Sequence, residues 1–289
     1  MTEKEKGELV HFIKAALAED VGDGDHTSLS TIPVEKRGIA QLIIKESGTV
    51  AGIEEALAVL EQVDKGLQVE VFMTDGQSVR VGDVVMRVEG CIHSILLAER
   101  LLLNIMQRMS GIATATRRIV DALAGTKTRV LDTRKTTPLL RFLEKKAVRL
   151  GGGVNHRFGL YDMILIKDNH VDYAGGIGEA IEKANHYRET LDKPIAIEIE
   201  VRNLEEVKKV LEVGKIERIM LDNFKPAQIR EAVAWIGGRF VTEASGGITE
   251  ENVREYAETG VDYISIGALT HSVKSLDMSL KAKIVSCNS

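Results

Sequence analysis

Polar side chains follow the short apolar segments in the second half of the chain. One such segment precedes Asp132 to Thr137 (DTRKTT), and later segments precede Lys167 to His170 and Asp222-Asn223. In proteins built on parallel strands, functional groups lie where a strand ends and the following loop begins. These residues are therefore expected to meet at one edge of a sheet and to form a reactive site there.

Two acidic residues, Glu198 and Glu200, lie inside an apolar segment instead of following it. Because side chains alternate along a strand, both project from one face, as Leu165 and Lys167 do on theirs. Such carboxylates are compatible with a structural ion-pair layer. Placed beside Asp222, they could also hold ribose hydroxyls, or a magnesium ion shared with a diphosphate. The pattern alone does not tell whether Glu198 or Glu200 is closer to the metal.

Residues 134–157 are strongly basic, with seven Lys or Arg and a single Glu, in a chain of net charge -5. Residues 141–149 have the spacing of a partly solvated basic helix. Loops flank this helix and carry Arg134, Lys135, His156 and Arg157. Arginine binds carboxylates and phosphates through two parallel hydrogen bonds. The arrangement predicts a small polyanionic ligand.

Two glycine-containing segments lie about twenty residues apart near the end of the chain. Ser245-Gly246-Gly247 and Ile266-Gly267-Ala268 each follow a predicted strand. Barrels bind phosphate in the loops after their last strands, where backbone N–H groups face the anion. Together with the basic and acidic groups, this pattern indicates sugar-phosphate chemistry.

Composition excludes several classes of protein. The 289 residues are 44% hydrophobic, which is enough for a large core, and the acidic balance argues against a nucleic-acid-binding surface. No apolar run is long enough to span a membrane, and Cys91 and Cys287 have no metal-ligand spacing. We expect a cytoplasmic protein with reduced thiols that binds neither nucleic acid nor membrane.

Periodicity predicts an α/β fold in two parts. The first part begins with a helix over 9–17, has strands over 39–44, 67–73 and 84–88, and ends in a helical stretch over 92–123 that is interrupted at Ser110-Gly111. In the second part, strands alternate with amphipathic helical segments, which is typical of a parallel sheet and favours a compact barrel. Its predicted strands are 129–131, 163–166, 195–201, 218–221, 240–243 and 263–266.

Three long motifs carry a resemblance to a known family. Leu131–Pro138 (LDTRKTTP), Gly151–Tyr161 (GGGVNHRFGLY) and Leu165–His170 (LIKDNH) resemble the core of quinolinate phosphoribosyltransferases, and the likeness extends over nearly the whole chain. It implies transfer of phosphoribosyl from phosphoribosyl pyrophosphate to quinolinate with decarboxylation. The products would be nicotinate mononucleotide, pyrophosphate and CO2, in de novo NAD biosynthesis.

The resemblance also implies an architecture. Residues 1–110 would form an N-terminal α/β domain, and 111–272 an open, TIM-like barrel of about seven parallel strands. Residues 273–289 would pack back on the N-terminal domain. The family is homodimeric with shared active sites, and further assembly is left open. Mg²⁺ is the expected cofactor.

Site residues follow from matching positions. Catalytic roles are expected for Lys135, Lys167, Glu200 and Asp222, and Glu200 and Asp222 would hold Mg²⁺ partly through the substrate. Arg100 would reach across the dimer interface, an assignment that rests on the resemblance alone. The full set expected to bind substrate is Arg100, Thr133, Arg134, Lys135, His156, Arg157, Lys167, Glu200, Asp222, Ser245, Gly246, Gly247, Ile266, Gly267 and Ala268.

Three other functions compete with this one. A related transferase could act on nicotinate or another pyridine carboxylate without decarboxylation, although the many basic groups favour a dicarboxylate. A Schiff-base aldolase could use Lys167. A non-catalytic anion-binding protein could retain the same pocket.

Overall fold

The computed structural model describes residues 3–283, so Cys287 lies outside the described residues. The chain divides into two compact units. The first takes in the residues up to Ala115, Phe142–Gly151 and the residues from Val273 onward; the second comprises Thr116–Arg141 and Gly152–Ser272. Residues 142–151, which the sequence places with the barrel, thus lie in the first unit.

The described residues form the following elements. The helices are α1 (Glu3–Val21), α2 (His26–Thr31), α3 (Ile53–Val63), α4 (Ile92–Ala122), α5 (Arg141–Leu150), α6 (Asp168–Ala174), α7 (Ile177–Glu189), α8 (Leu204–Val213), α9 (Pro226–Ile236), α10 (Val253–Ala257) and α11 (Ala268–His271). The strands are β1 (Arg37–Ile44), β2 (Gly48–Thr49), β3 (Gln68–Val71), β4 (Ser78–Val79), β5 (Val84–Cys91), β6 (Arg129–Leu131), β7 (Met163–Ile166), β8 (Ala196–Val201), β9 (Arg218–Asp222), β10 (Val241–Ser245), β11 (Tyr263–Ser265) and β12 (Met278–Lys283).

The first unit contains a four-stranded antiparallel sheet in the order β12-β1-β5-β3. The strands near 39–44, 67–73 and 84–88 occur as predicted, whereas β12 was not foreseen as a strand. It pairs with β1 so that Leu280 lies opposite Leu42, and both side chains are buried. The alternation of Met278 and Leu280 with polar neighbours is the period-2 signal that could have indicated β12.

The predicted interruption of the long helix at Ser110-Gly111 is wrong, because α4 runs unbroken through both residues. The Ser110 hydroxyl accepts a hydrogen bond from the Ala51 N–H at 2.8 Å and donates to the Ala51 carbonyl at 3.1 Å. A Cβ on Gly111 would lie 2.3 Å from the Lys274 carbonyl oxygen. Both small residues therefore allow other backbone segments to approach the helix, and neither ends it.

The basic helix α5 is less solvated than its composition indicates. Lys145 is 1% exposed, and Lys146 lies 2.5 Å from an oxygen of Glu54 and 2.7 Å from one of Glu55. Glu144, fully buried, is paired with Arg108 at 2.8 Å. The positive charge of Lys146 is therefore neutralised inside the first unit.

The second unit is built on a six-stranded parallel sheet in the order β6-β11-β10-β9-β8-β7. Its strands confirm the six predicted from the sequence to within two residues at each end. Ile197 and Ile199 are completely buried, and each such side chain contributes about 1.5–3 kcal/mol by leaving water. Helical segments between the strands supply the covering layer, as expected for repeated βα units.

The predicted open barrel of about seven strands is not confirmed, because the strands described over residues 3–283 form a six-stranded parallel sheet that does not close. Beyond β6, the described residues form an isolated parallel bridge between Leu131 and Val154. The next residues bond instead to the Asp132 carboxylate, which accepts from the Asn155 amide at 2.5 Å and from the His156 N–H at 2.8 Å. Parallel pairing beyond β6 is therefore limited to this bridge among the described residues.

Across the described part of the chain, no helix is both long and apolar enough to cross a bilayer.

Candidate active site

A cavity of about 640 Å³ lies at the carboxyl ends of the parallel strands, within the second unit. Fourteen of the fifteen residues predicted to bind substrate line it: Thr133, Arg134, Lys135, His156, Arg157, Lys167, Glu200, Asp222, Ser245, Gly246, Gly247, Ile266, Gly267 and Ala268. Arg100, on the exposed side of α4 in the first unit, is not among the lining residues. Chain segments more than 130 residues apart in the sequence thus line the same cavity.

A second cavity, of about 540 Å³, lies at the amino ends of the strands and is a weaker candidate. Three of its charged side chains are already neutralised by ion pairs: Lys127 and Asp262 pair with each other at 2.8 Å, and Glu217 pairs with Arg188 at 2.8 Å. Functional groups in βα architectures collect at the opposite end of the strands. The cavity at the carboxyl ends is therefore taken as the site.

Arg141 holds the two basic loops in place. Its guanidinium donates to the Thr136 hydroxyl at 2.9 Å, to the Phe158 carbonyl at 2.9 Å and to the Arg134 carbonyl at 3.3 Å. Five donors in a planar fork allow one arginine to join several acceptors. The loop after β6 and the loop after the Val154 bridge are thereby fixed to each other by a residue outside the cavity lining.

Arg157 is the half-buried cation of the site. One of its guanidinium nitrogens donates to the Met163 carbonyl at 3.2 Å. Burial, followed by repulsion from Arg134, holds the pKa of Arg157 below its usual range, while Glu198 and Asp162 act in the opposite direction. Partial desolvation beside a second cation makes this a place where an anion would be stabilised.

The acidic side of the cavity is formed by Glu200 and Asp222. Glu200 lies 3.5 Å from the ammonium nitrogen of Lys167. Burial raises the pKa of Glu200; Lys167 opposes that rise, and repulsion from Asp222 adds to it. Asp222 accepts from the Ser245 hydroxyl at 2.5 Å and from the Asn223 amide at 2.6 Å, so both of its oxygens are oriented.

The glycine segments meet the cavity with exposed backbone. Gly246 and Gly247 have φ of +90° and +64°, backbone conformations that residues other than glycine rarely adopt. A Cβ on Gly267 would lie 3.1 Å from Cδ of Lys135, so the stem of that lysine runs against the glycine. The Thr270 hydroxyl, in α11, donates to the Lys135 carbonyl at 2.7 Å. The Lys135 side chain therefore lies next to glycine backbone that no side chain covers, an arrangement that suits a phosphate group.

A buried group of ionisable side chains adjoins the cavity, and two of its members, His156 and Glu243, also line it. Nε2 of His156 is 3.0 Å from Oε2 of Glu198 and 3.5 Å from Oε2 of Glu243, and Arg218 donates to Glu243 at 2.8 Å. Burial raises the pKa of both glutamates to about 7. Glu198 has no exposure, whereas Glu200 lines the cavity, so the two predicted acidic residues occupy different environments.

Several lining residues were not singled out from the sequence as ligand contacts. They are Leu165, Met220, Asn223, Glu243, Ile248, Thr249, Ser265 and His271. Met220 shares a strand face with Asp222, and Leu165 shares one with Lys167, so alternation could have indicated both. His271 lies at the end of α11, and its distance from Gly267 along the chain carries no comparable signal.

An α/β sheet with cations, carboxylates and uncovered glycine backbone at the carboxyl ends of its strands defines a class of enzymes that handle phosphorylated substrates. Comparison with known proteins narrows that class. The model of the quinolinate phosphoribosyl transferase N-terminal domain matches residues 25–110, and that of the C-terminal domain matches 112–281. The chain belongs to the quinolinate phosphoribosyl transferase family.

Individual relatives align with this chain over most of their own length. The mitochondrial decarboxylating quinolinate phosphoribosyltransferase 2b of Nicotiana tabacum is 46% identical, over 95% of this chain and 82% of its own. A Bacillus subtilis protein described as a probable carboxylating nicotinate-nucleotide pyrophosphorylase is 44% identical, over 94% and 91%. The structure of the nicotinate-nucleotide pyrophosphorylase from Francisella tularensis superposes with a TM-score of 0.91 at 38% identity, covering 96% of this chain and 97% of that one.

Proposed function

We propose that this cavity is where the chain transfers the phosphoribosyl group of phosphoribosyl pyrophosphate to quinolinate, releasing pyrophosphate and CO2 and forming nicotinate mononucleotide for NAD biosynthesis. Membership of the quinolinate phosphoribosyl transferase family supports the reaction. The observation that carries the proposal is the convergence of Arg134, Lys135, Arg157 and Lys167 with two carboxylates and a glycine loop on one cavity.

The four cations are divided between the two ends of the cavity. Arg157 and Lys167 lie near β7, whereas the stem of Lys135 runs against Gly267 in the glycine segment after β11. Quinolinate carries two carboxylates, which need paired donors, and the 5′-phosphate of the donor needs backbone N–H groups. We assign the dicarboxylate to the side of Arg134, Arg157 and Lys167, and the phosphate to the glycine segments.

The chemistry requires positioning and charge stabilisation, and no covalent enzyme intermediate. As the quinolinate nitrogen bonds to the anomeric carbon, the bond to pyrophosphate breaks and its electron pair leaves with the diphosphate. The ribosyl centre becomes cation-like on the way, as in glycoside hydrolysis. Glu200 and Asp222 stabilise that positive charge, and Lys135 stabilises the departing anion.

Decarboxylation follows from the product of the transfer. Once its nitrogen is quaternised, the pyridinium ring accepts the electron pair released when the carboxylate on the adjacent carbon leaves as CO2, and that carbon then takes up a proton. The protein's part is to hold the ring by its two carboxylates in the orientation that brings nitrogen to sugar carbon.

Magnesium fits the residues present. Mg²⁺ takes oxygen ligands and usually binds through one or two carboxylates together with substrate phosphates. Glu200 and Asp222 provide such carboxylates on the cavity wall, and hydrogen bonds from Ser245 and Asn223 already orient Asp222. When bound there, the ion would neutralise charge on the diphosphate.

Three further features belong to the proposal. We propose an open barrel of about seven strands, with the Leu131–Val154 bridge marking the remaining strand. We propose a homodimer, open to further assembly, in which the exposed Arg100 reaches the partner's site. We propose a cytoplasmic location, although the Nicotiana tabacum relative is described as mitochondrial.

The test is a stoichiometric assay of purified protein with phosphoribosyl pyrophosphate and Mg²⁺, using quinolinate and nicotinate in parallel. Equal amounts of pyrophosphate and CO2 from quinolinate, with nicotinate inactive, are expected. Pyrophosphate from nicotinate without CO2 would instead support the non-decarboxylating reaction. Absence of both products while quinolinate still binds would overturn the enzymatic function.

A further inference from the structure

His156 has one ring nitrogen in contact with the protein backbone. The backbone N–H of Arg157 donates to Nδ1 of His156 at 2.7 Å. A peptide N–H can only donate, so Nδ1 must supply a lone pair and cannot carry a proton. An imidazolium ring, which carries protons on both nitrogens, is incompatible with this contact. In this arrangement the ring is neutral, and its single proton is on Nε2.

The other ring nitrogen faces two carboxylates. Nε2 is 3.0 Å from Glu198 and 3.5 Å from Glu243, and all three side chains are almost fully buried. Neither contact is aligned as an ideal hydrogen bond, so the attraction between the Nε2–H and the carboxylates is mainly electrostatic. The tautomer required by Nδ1 is therefore also the one that the carboxylates favour.

The same protonation state argues against a metal ion at this cluster. The three residues offer ligand atoms that lie within 4.8 Å of one another, as metal sites require. Histidine binds a metal through an unprotonated nitrogen, and its other nitrogen then carries the proton. Here that other nitrogen would have to be Nδ1, which already accepts the Arg157 N–H. The cluster has the composition of a metal site and the wrong tautomer for one.

We propose that His156 acts as a neutral positioning residue for Arg157, and not as one of the cations of the substrate pocket. Nδ1 fixes the backbone of Arg157, and the buried glutamates hold the ring in the orientation that makes this possible. The guanidinium of Arg157 is anchored separately at the Met163 carbonyl, so backbone and side chain are both constrained. This inference rests on the proposed function, because it concerns how Arg157 is presented to quinolinate.

Two variants separate the ring nitrogens. The Oδ1 of an asparagine can replace Nδ1 as acceptor, so His156→Asn should retain the bond to the Arg157 N–H. A glutamine reaches the position of Nε2 and offers no acceptor near the backbone. We expect His156→Gln to raise the quinolinate KM at least tenfold with a smaller change in kcat, and His156→Asn to raise it no more than about threefold. Equal losses, or a larger loss in His156→Asn, would overturn the positioning role.

A spectroscopic measurement tests the protonation state without any assay of activity. In wild-type protein labelled with 15N-histidine, the ring nitrogens of His156 can be assigned by their disappearance in the His156→Asn protein. One protonated and one unprotonated nitrogen, with the unprotonated one identified as Nδ1, is the expected result. Two protonated nitrogens, or a protonated Nδ1, would refute the inference. Because this readout needs no turnover, it separates failure of the inference from failure of the proposed reaction.

Discussion

Replacing Gly246 by alanine perturbs the proposed phosphate loop at a defined point. Gly246 has φ of +90°, and an added Cβ would lie 2.2 Å from Oδ1 of Asn223 and 2.9 Å from its backbone nitrogen. A left-handed alanine costs about 1–2 kcal/mol, and overpacking against a fixed neighbour costs about 1–3 kcal/mol more. Because Asn223 also donates to Asp222, displacement of Asn223 would spread to the acidic side of the cavity.

Gly260 provides a matched control. Its φ is +82°, but a Cβ there meets nothing within 4 Å, and it does not line the cavity. The Gly260→Ala protein should show only the backbone strain. The Gly246→Ala protein should show the strain, the overlap and a displaced loop. If about 1–2 kcal/mol of the added cost falls on the bound state, the KM for phosphoribosyl pyrophosphate rises about tenfold, since 1.4 kcal/mol corresponds to a factor of ten.

The assay is pyrophosphate release with one substrate varied and the other saturating, together with thermal melting of both variants. The KM for phosphoribosyl pyrophosphate should rise in Gly246→Ala, whereas the KM for quinolinate should change much less. If the two alanine variants have donor KM values within twofold of each other, the Gly246 loop does not bind the phosphate as argued.

Three further outcomes are expected. Arg134→Ala should raise the quinolinate KM and lower turnover in steady-state kinetics; wild-type kinetics would rule out its assigned role. The pKa of Glu243 is about 7 in the folded protein and about 4.5 in the unfolded chain, because burial disfavours the charged carboxylate. The free energy of unfolding therefore falls as the pH rises from about 4.5 through about 7. Glu243→Gln should therefore gain up to about 3 kcal/mol over wild type at pH 8 relative to pH 5 in urea denaturation, and parallel curves would contradict this. Lys146→Met should cost about 3–5 kcal/mol by leaving the buried Glu55 uncompensated, and adding Glu55→Met should restore most of that loss; equal losses in both would exclude the explanation.

The second unit was largely predictable because its signals are local. Each strand is a short apolar run followed by polar residues, and the parallel arrangement brings all those polar residues to the same edge. Lys167, Glu200 and Asp222 could thus be expected around one cavity although they are far apart in the sequence. The register between neighbouring strands then sets which residues are adjacent: Glu200 lies beside Met220, and Asp222 lies beside Ser245.

The features that sequence reasoning missed depend on partners remote in the chain. Lys146 is paired with Glu54 and Glu55, which lie 92 and 91 residues away. In the sequence, Gly111 indicates a helix break. In the structure, the Lys274 carbonyl packs against it, and this contact explains why a glycine is present within the helix. The charge of His156 depends on which way its ring faces, and a list of basic residues carries no such information. Spacing indicates local geometry, whereas burial and protonation follow from long-range contacts.

The discontinuous first unit affects the order in which the chain can fold during synthesis. Its central strand β1 is made early, yet one neighbour, β12, is added only when residues 278–283 leave the ribosome, after the entire second unit has been translated. Until then β1 presents an unpaired edge, which is a site for association between nascent chains. A chain shortened by a premature stop before Met278 would keep every residue of the cavity and still lack the strand that protects it from aggregation.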